Sequence, residues 1–361
     1  MSSDVPPYQL QQLVTNVLDE AIRISGTNVE IRCAQALGSE LYVGCTNGEL
    51  LRFALQREGT STANSYVLLS RQSLPSDKAV DEIVLAPSIS RALILSDHQI
   101  YFYILPALDP VSPQTIKPIR NVVTFAVDEQ HLHRPPMTGN EIHQQTESVE
   151  FCVIKRSTIA MYSLRERLFY QREIPLPNGG TLARRTGQYL CVADKEFYNV
   201  INLITAQMIP LLPLSQAFDS PVKVKPLITV VSPIEFLILS WSGAASLGLF
   251  ITGEGEPVRG TLEWASHPLS VNVDYPYITT LLPDNSIEIH NMDTQSIVQA
   301  IPASSAEEDR RKFVRSFNGF LVPALQESKK LQKVAIPLRR RKVTAESTSG
   351  ENKLEVPAAD L

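Results

Sequence analysis

The 361-residue sequence predicts an all-β protein, a seven-bladed β-propeller, on three observations: a recurring pair of apolar segments, a side-chain period of two inside them, and hairpin chemistry between them. The unit is an apolar segment, a polar turn and a second apolar segment. It appears as ELYVGCTNGELLRFAL from Glu40, RALILSDHQIYFYIL from Arg91, EFCVIKRSTIAMYSL from Glu150 and QYLCVADKEFYNVINL from Gln188. EFLILSWSGAASLGLF from Glu235, PYITTLLPDNSIEIHNM from Pro276 and GFLVPALQESKKLQKVAIPL from Gly319 complete the series. The starts lie 38 to 59 residues apart, a length that suits four short strands per unit. Leu41, Val43 and Cys45 share one face of a strand, as do Leu51, Phe53 and Leu55, while Ile287 and Ile289 alternate with Glu288 and His290. Asn47-Gly48 is a favoured two-residue hairpin turn, and Ser96-Asp97 and Asp284-Asn285 can hydrogen-bond their own backbone. A four-stranded sheet cannot cover both of its faces, so seven stack radially, each on its neighbour.

Taken in order along the chain, Tyr8 to Leu18 offers an N-terminal strand that closes the ring by completing the last blade. Leu10, Leu13, Val14 and Val17 also suit a helical face, so both readings stay open. The stretch EQHLHRPPMTGNEIHQQTES, between Asp128 and Ser148, is polar and turn-rich and reads as a loop inserted between strands. Ser305 with Glu308 has capping-box spacing and predicts a short helical turn over Asp309 to Lys312. From Arg339 onward the apolar period is lost. The expected organisation is a propeller over residues 1–342 and a polar linker or disordered tail over 343–361.

Composition narrows the function. Lys and Arg number 33 against 38 Asp and Glu, a net charge of -5, so no strong overall field draws in nucleic acid or an anionic membrane. Cys33, Cys45, Cys152 and Cys191 are too few and too scattered for a disulfide framework or a Cys-x-x-Cys zinc site. They read as small buried residues of a reducing compartment. MSSDVPPYQL has neither a basic start nor an apolar core, no Asn-x-Ser/Thr sequon occurs, and apolar runs such as Phe236 to Leu239 stop after a few residues. A cytoplasmic protein with only peripheral membrane contact is expected.

Catalytic signatures are weak. No Gly-x-x-x-x-Gly-Lys-Ser/Thr loop is present, and Gly253-Glu254-Gly255 lacks the third glycine of a dinucleotide fingerprint and reads as a turn. Ser246, in Ala244-Ala245-Ser246-Leu247-Gly248, resembles a nucleophile elbow without its first glycine, yet it lies between two strand-like segments and reads as hairpin. His131, His133 and His143 with Asp128 and Glu129 are the one candidate metal cluster, and a flexible proline-rich loop gives them no second layer of orienting groups. His290 reads as a surface or inter-blade histidine, and His98 and His267 as turn residues. Trp241 and Trp264 read as packing residues before ligand-stacking ones. Arg339-Arg340-Arg341-Lys342 is the one concentrated basic run, read as the start of a solvated linker or as a contact for acidic lipid or protein. Asp81, Asp97, Asp128 and Asp284 do not recur at one register of the repeat, which weighs against a metal-dependent hydrolase in the channel. No catalytic, cofactor-binding or metal residue is assigned, and no cofactor.

The repeats carry no Trp-Asp or Gly-His signature, so a typical WD-repeat propeller is not expected. Instead Leu37-GSELYVGCTNGELLRF, Ile154-KRSTIAMYSL, Leu247-GLFITGEGEPVRGTLEW and Ser270-VNVDYPYITTLLPDNSIEIHNM resemble the citron homology (CNH) domain of the transforming growth factor-beta receptor-associated protein and fungal CORVET Rab-binding subunit family. The likeness runs from about residue 29 to 338. It implies a noncatalytic propeller that engages a Rab GTPase, an early endosomal one favoured, and other CORVET or HOPS subunits, holding vesicles together before SNARE-driven fusion. It also implies a following α-solenoid that this chain lacks. The related HOPS subunit with a late-endosomal or vacuolar Rab is the alternative, and the family offers no motif that places the Rab-contacting residues.

Overall fold

The computed structural model describes residues 8–10, 29–37, 40–57, 64–134, 147–217, 224–303, 310–311, 315–316, 320–325 and 333–340; side chains are described over 29–37, 40–54, 67–134, 147–217 and 224–303. The chain is a β-propeller. Blade I is built from Ile31–Leu37, Glu40–Cys45, Glu49–Arg57 and Asn64–Ser73, and blade II from Val80–Ala86, Arg91–Ser96, Gln99–Ile104 and the short pieces Asp109–Pro110 and Ile119–Arg120. Blade III comprises Thr124–Val127, Val149–Ile154, Thr158–Leu164 and Leu168–Pro175. Blade IV comprises Leu182–Thr186, Tyr189–Ala193, Phe197–Asn202 and Met208–Pro213. Blade V runs through Ile228–Ser232, Glu235–Trp241, Ser246–Thr252 and Leu262–Trp264, and blade VI through Ser270–Asp274, Tyr277–Leu281, Ile287–Asn291 and Ser296–Ile301. Each is an antiparallel sheet whose main strands follow sequence order, and the predicted hairpins form the second and third strands.

The second strands show what holds the ring together. Along Arg91–Ser96, Ala92 and Ile94 enter the core between blades I and II, while Leu93 and Leu95 enter the one between blades II and III. Cys152 and Ile154 face blade IV, whereas Val149, Phe151 and Val153 face blade II. Phe236 and Ile238 face blade IV, and Leu237 and Leu239 face blade VI. The period is two, as expected, but both faces are apolar because each blade is covered on both sides. Leu41, Val43 and Cys45 share one buried face of their strand, and Tyr42, between them, is fully buried in the core shared with blade II.

The turns follow their residues. Gly48 has φ +81°, and a Cβ there would lie 2.9 Å from the backbone of Asp77, so two constraints demand glycine. Asp97 and His98, with φ 48° and 55°, form the two-residue primed turn that suits strand twist. The Asp284 carboxylate accepts the Ser286 N–H at 2.9 Å, closing the predicted side-chain turn.

The blade count also needs correction. Six blades with packed cores span Ile31 to Ile301. The seventh repeat is present as main-chain pairing: Phe320–Leu325 pairs with Lys333–Arg340, flanked by Arg310–Arg311 on one side and Tyr8–Leu10 on the other. A blade is defined by the apolar faces it shares, and the side chains of these strands lie outside the described ones. Of the two readings of Tyr8 to Leu18, Tyr8–Leu10 is strand; 11–18 lie outside the described residues. Arg310–Arg311 is strand where a helical turn was expected, and Arg339 and Arg340 end a strand and do not begin the linker. Backbone pairing with Ala324, Leu325, Gln9 and Tyr8 overrides their local preference. Ser305, Glu308, Arg341, Lys342 and 343–361 lie outside the described residues.

Candidate functional site

The innermost strands surround a central cavity of about 420 Å³, to which the blades contribute Arg32, Glu82, Phe125, Arg184, Thr229 and Asn272 in turn. Glu82 of blade II meets Arg184 of blade IV at 3.3 Å across it, and Arg32 lies 3.6 Å from Asp81. Glu129 and Leu132, from the helix Glu129–Leu132, also line it. Among the described residues the charges in this channel are paired with opposite charges, and no set of like carboxylates converges there. Asp97 and Asp284 sit in surface turns and Asp128 is buried at a blade junction, so the four aspartates noted in the sequence remain apart. Among the described residues no group of three or more His, Cys, Asp or Glu is placed to hold a metal ion.

The candidate metal cluster has a different role. Asp128 caps the helix Glu129–Leu132 by accepting the Gln130 N–H at 3.1 Å, and accepts the Gly187 N–H of blade IV at 3.0 Å. Arg185 of blade IV reaches Asp128 at 3.9 Å and hydrogen-bonds Glu150 of blade III. His131 Nδ1 accepts the Glu150 N–H at 3.0 Å, which leaves Nε2 carrying the proton and facing Asp128 at 3.8 Å. Burial holds the His131 pKa below its usual value, with Asp128 opposing. These groups join blade III to blade IV. His133 is exposed and pairs with Glu129 at 3.2 Å, while His143 lies outside the described residues.

Ser246 does meet a histidine. Its hydroxyl lies 2.7 Å from His267 Nδ1, and His267 Nε2 donates to the Lys225 carbonyl at 2.8 Å. Yet Ser246 is 0% exposed on a strand, so no substrate carbonyl can reach it, and the pair ties blade V to the segment entering blade VI. The sequence could not disclose this partner, 21 residues away and in a turn. His98 Nδ1 lies 3.0 Å from the Val122 carbonyl, another turn contact.

Trp264 packs as expected and is 1% exposed; Trp241 is half-buried at a strand end. His290 is only 2% exposed, with its ring edge-on to Trp264 at 5.0 Å, so it is inter-blade. Burial pushes its pKa down to about 4 from an ordinary value near 6.5. The neutral ring is thus favoured by folding, and its contribution is fully present above about pH 6.5 and lost as pH falls towards 4. Wild type is expected to lose about 2–3 kcal/mol across that window through this group, from the linkage of 1.36 kcal/mol per pKa unit. His290→Gln should remove that part of the slope, as followed by urea midpoints at several pH values; an unchanged slope would refute the assignment.

Cys45, Cys152 and Cys191 are buried free thiols, as expected, and Cys33 is half-buried. Burial raises the Cys152 thiol to about 11 and raises that of Cys191 as well, which suppresses the reactive thiolate. A cluster the sequence reading did not single out centres on Arg259. It hydrogen-bonds Glu235 at 2.6 Å and Asp293 at 3.2 Å, between the rings of Phe250 and Tyr275 at 5.9 and 6.0 Å. Its members span blades V and VI and become neighbours only in three dimensions.

A ring of antiparallel blades around a charge-paired channel, joined by buried polar struts, defines a β-propeller. The solved CNH domain of AfRom2 overlays it with a TM-score of 0.60 at 17% identity, over 91% of this chain and 99% of that one. The chain belongs to the VPS3 N-terminal domain family, whose model matches residues 26–304. It is 27% identical over 80% of its length to mouse transforming growth factor-beta receptor-associated protein 1, covering 32% of that protein. It is 24% identical over 83% of its length to vacuolar protein sorting-associated protein 3 of Saccharomyces cerevisiae, covering 28% of it. The chain thus spans about a third of the length of these relatives. No helix among the described residues is long and apolar enough to cross a membrane.

Proposed function

We propose that this propeller is the noncatalytic docking module of an endosomal tethering-complex subunit of the CORVET type, which binds a Rab GTPase and so helps hold vesicles together before fusion. The observation that carries the reading is membership of the VPS3 family over residues 26–304. The fold suits docking, because six blades locked by apolar cores present their loops on a stiff frame and little ordering entropy opposes binding. Other subunits of the complex are the further partners, and the protein acts in the cytoplasm, peripherally on endosomal membranes. Residues 1–342 form one propeller unit, and 343–361 form a polar linker or tail that leads out of it.

Discrimination between GTP and GDP requires differential contact with the switch segments that the γ-phosphate orders. In pull-downs against early and late endosomal Rabs locked in either nucleotide state, the GTP-locked early endosomal member is expected to be retained. Equal weak binding to every Rab would reject the reading.

A further inference from the structure

Among the described residues the outer strand of blade III, Leu168–Pro175, is a free edge of its sheet. In an antiparallel ladder every second residue of such a strand directs its N–H and C=O away from the neighbouring strand. Natural sheets blunt these edges with prolines or very short strands. Three other blades do so: the outer strand of blade IV carries Pro210 and Pro213, that of blade V has three residues, and blade II ends in the two-residue Ile119–Arg120, whereas the outer strands of blades I and VI carry no proline. The blade III edge has eight residues, and its proline is the terminal Pro175.

This edge displays Phe169 and Tyr170, 55% and 56% exposed. Tyr170 lies edge-on to Tyr162 at 5.7 Å, and Tyr162 borders the core shared with blade II. Phe169, by alternation, stands on the opposite face. Arg165 and Arg167 precede the strand and form no ion pair among the described residues. Arg172 has no carboxylate partner either; its donors reach Met161 Sδ at 3.4 Å and the Ile204 carbonyl at 3.2 Å. Over residues 165–175 these three arginines stand against two acids, Glu166 and Glu173, which leaves the stretch with a net charge of +1. Exposed aromatic and arginine side chains together are the composition of binding surfaces, whereas solvated surfaces favour lysine and glutamate. The outer strand of blade I, by contrast, has its Arg71 neutralised by Glu49.

We propose that Leu168–Pro175 is a docking edge for an extended acidic segment of a partner protein, which adds to blade III as a further strand. Main-chain bonds supply affinity, Phe169 and Tyr170 receive apolar side chains on the two faces, and the arginines select for acid. The inference is separate from the GTPase reading, whose failure would leave it standing.

The test uses the full chain and two fluorescein-labelled octapeptides, alternating Glu-Val and alternating Lys-Val, read by anisotropy and by amide hydrogen exchange. The acidic peptide is expected to bind and to slow exchange within Leu168–Pro175, and the basic one to do neither. The double substitution Arg165→Glu with Arg167→Glu should weaken binding about tenfold or more, as should Phe169→Thr with Tyr170→Thr, without lowering the melting temperature. All four positions are exposed, so both variants fold. Binding of both peptides alike, protection at another site, no binding up to about 1 mM, or undiminished binding by the variants would each overturn the proposal.

Discussion

Replacing Trp264 by alanine is expected to lower the unfolding free energy by about 4 kcal/mol, the cost of emptying a large buried site. The indole fills the core between blades V and VI, and Gly248 lies so close beneath it that a Cβ there would stand 2.6 Å from Cζ3. Its N–H donates to the Thr280 hydroxyl at 3.0 Å, which in turn donates to the Glu288 carbonyl at 3.0 Å. Loss of the ring therefore removes packing, strands a polar group and exposes one side of His290. Gly248→Val should also destabilise, through overpacking, by about 1–3 kcal/mol. Combined with Trp264→Ala, the valine should cost much less than alone, because it enters the space the indole leaves. Urea denaturation of the three variants measures this. A Trp264→Ala cost below about 1 kcal/mol, or strict additivity, would show that this contact does not hold the blades together.

Arg185→Met is expected to cost about 3–5 kcal/mol, because it leaves two carboxylates at the blade III and IV junction without their counter-charge. Asp128 and Arg185 are 3% and 4% exposed, so water does little to screen them. In the wild type burial alone would raise the Glu150 carboxyl, and the Arg185 hydrogen bond and charge hold it below its usual range. Without the arginine the Glu150 carboxyl shifts upward, folds more readily when protonated, and loses its handicap as pH falls. The variant's deficit relative to wild type should therefore shrink between about pH 7 and 5. Adding Asp128→Asn and Glu150→Gln should recover part of it at neutral pH, since the amide oxygen at position 128 still accepts the N–H groups of Gln130 and Gly187 and no buried charge is left unpaired. Thermal melts across that range test both statements; a deficit independent of pH would mean that Arg185 acts through packing alone.

Much of this architecture was legible in the chain. The hairpins and their turn residues appear where the residues predict them, because strand period and turn chemistry are local properties; of the loop expected after Asp128, Glu129–Leu132 is helix and 135–146 lie outside the described residues. The strand Tyr8–Leu10 could not be told from helix locally, since its pairing partner, Arg340 to Leu338, lies at the other end of the chain. The polar side chains that join blades were illegible for the same reason. Arg185 meets Glu150 across 35 residues, and Arg259 meets Glu235 across 24. His131 and Asp128 suggested metal ligands in sequence because proximity along the chain shows residue types but not which backbone N–H each must satisfy.

By itself the sequence determined that this chain makes antiparallel hairpins in series, that its cysteines are isolated, and that it resembles a tethering-subunit propeller. Those properties follow from spacing and residue type, which act over a few positions. Tertiary structure alone decided that the second strands are apolar on both faces, that Ser246 and His290 are sealed between blades, and that the edge at Phe169 and Tyr170 stays open. Burial and exposure depend on what stacks against a sheet, and that neighbour is supplied by ring geometry over separations no local pattern records.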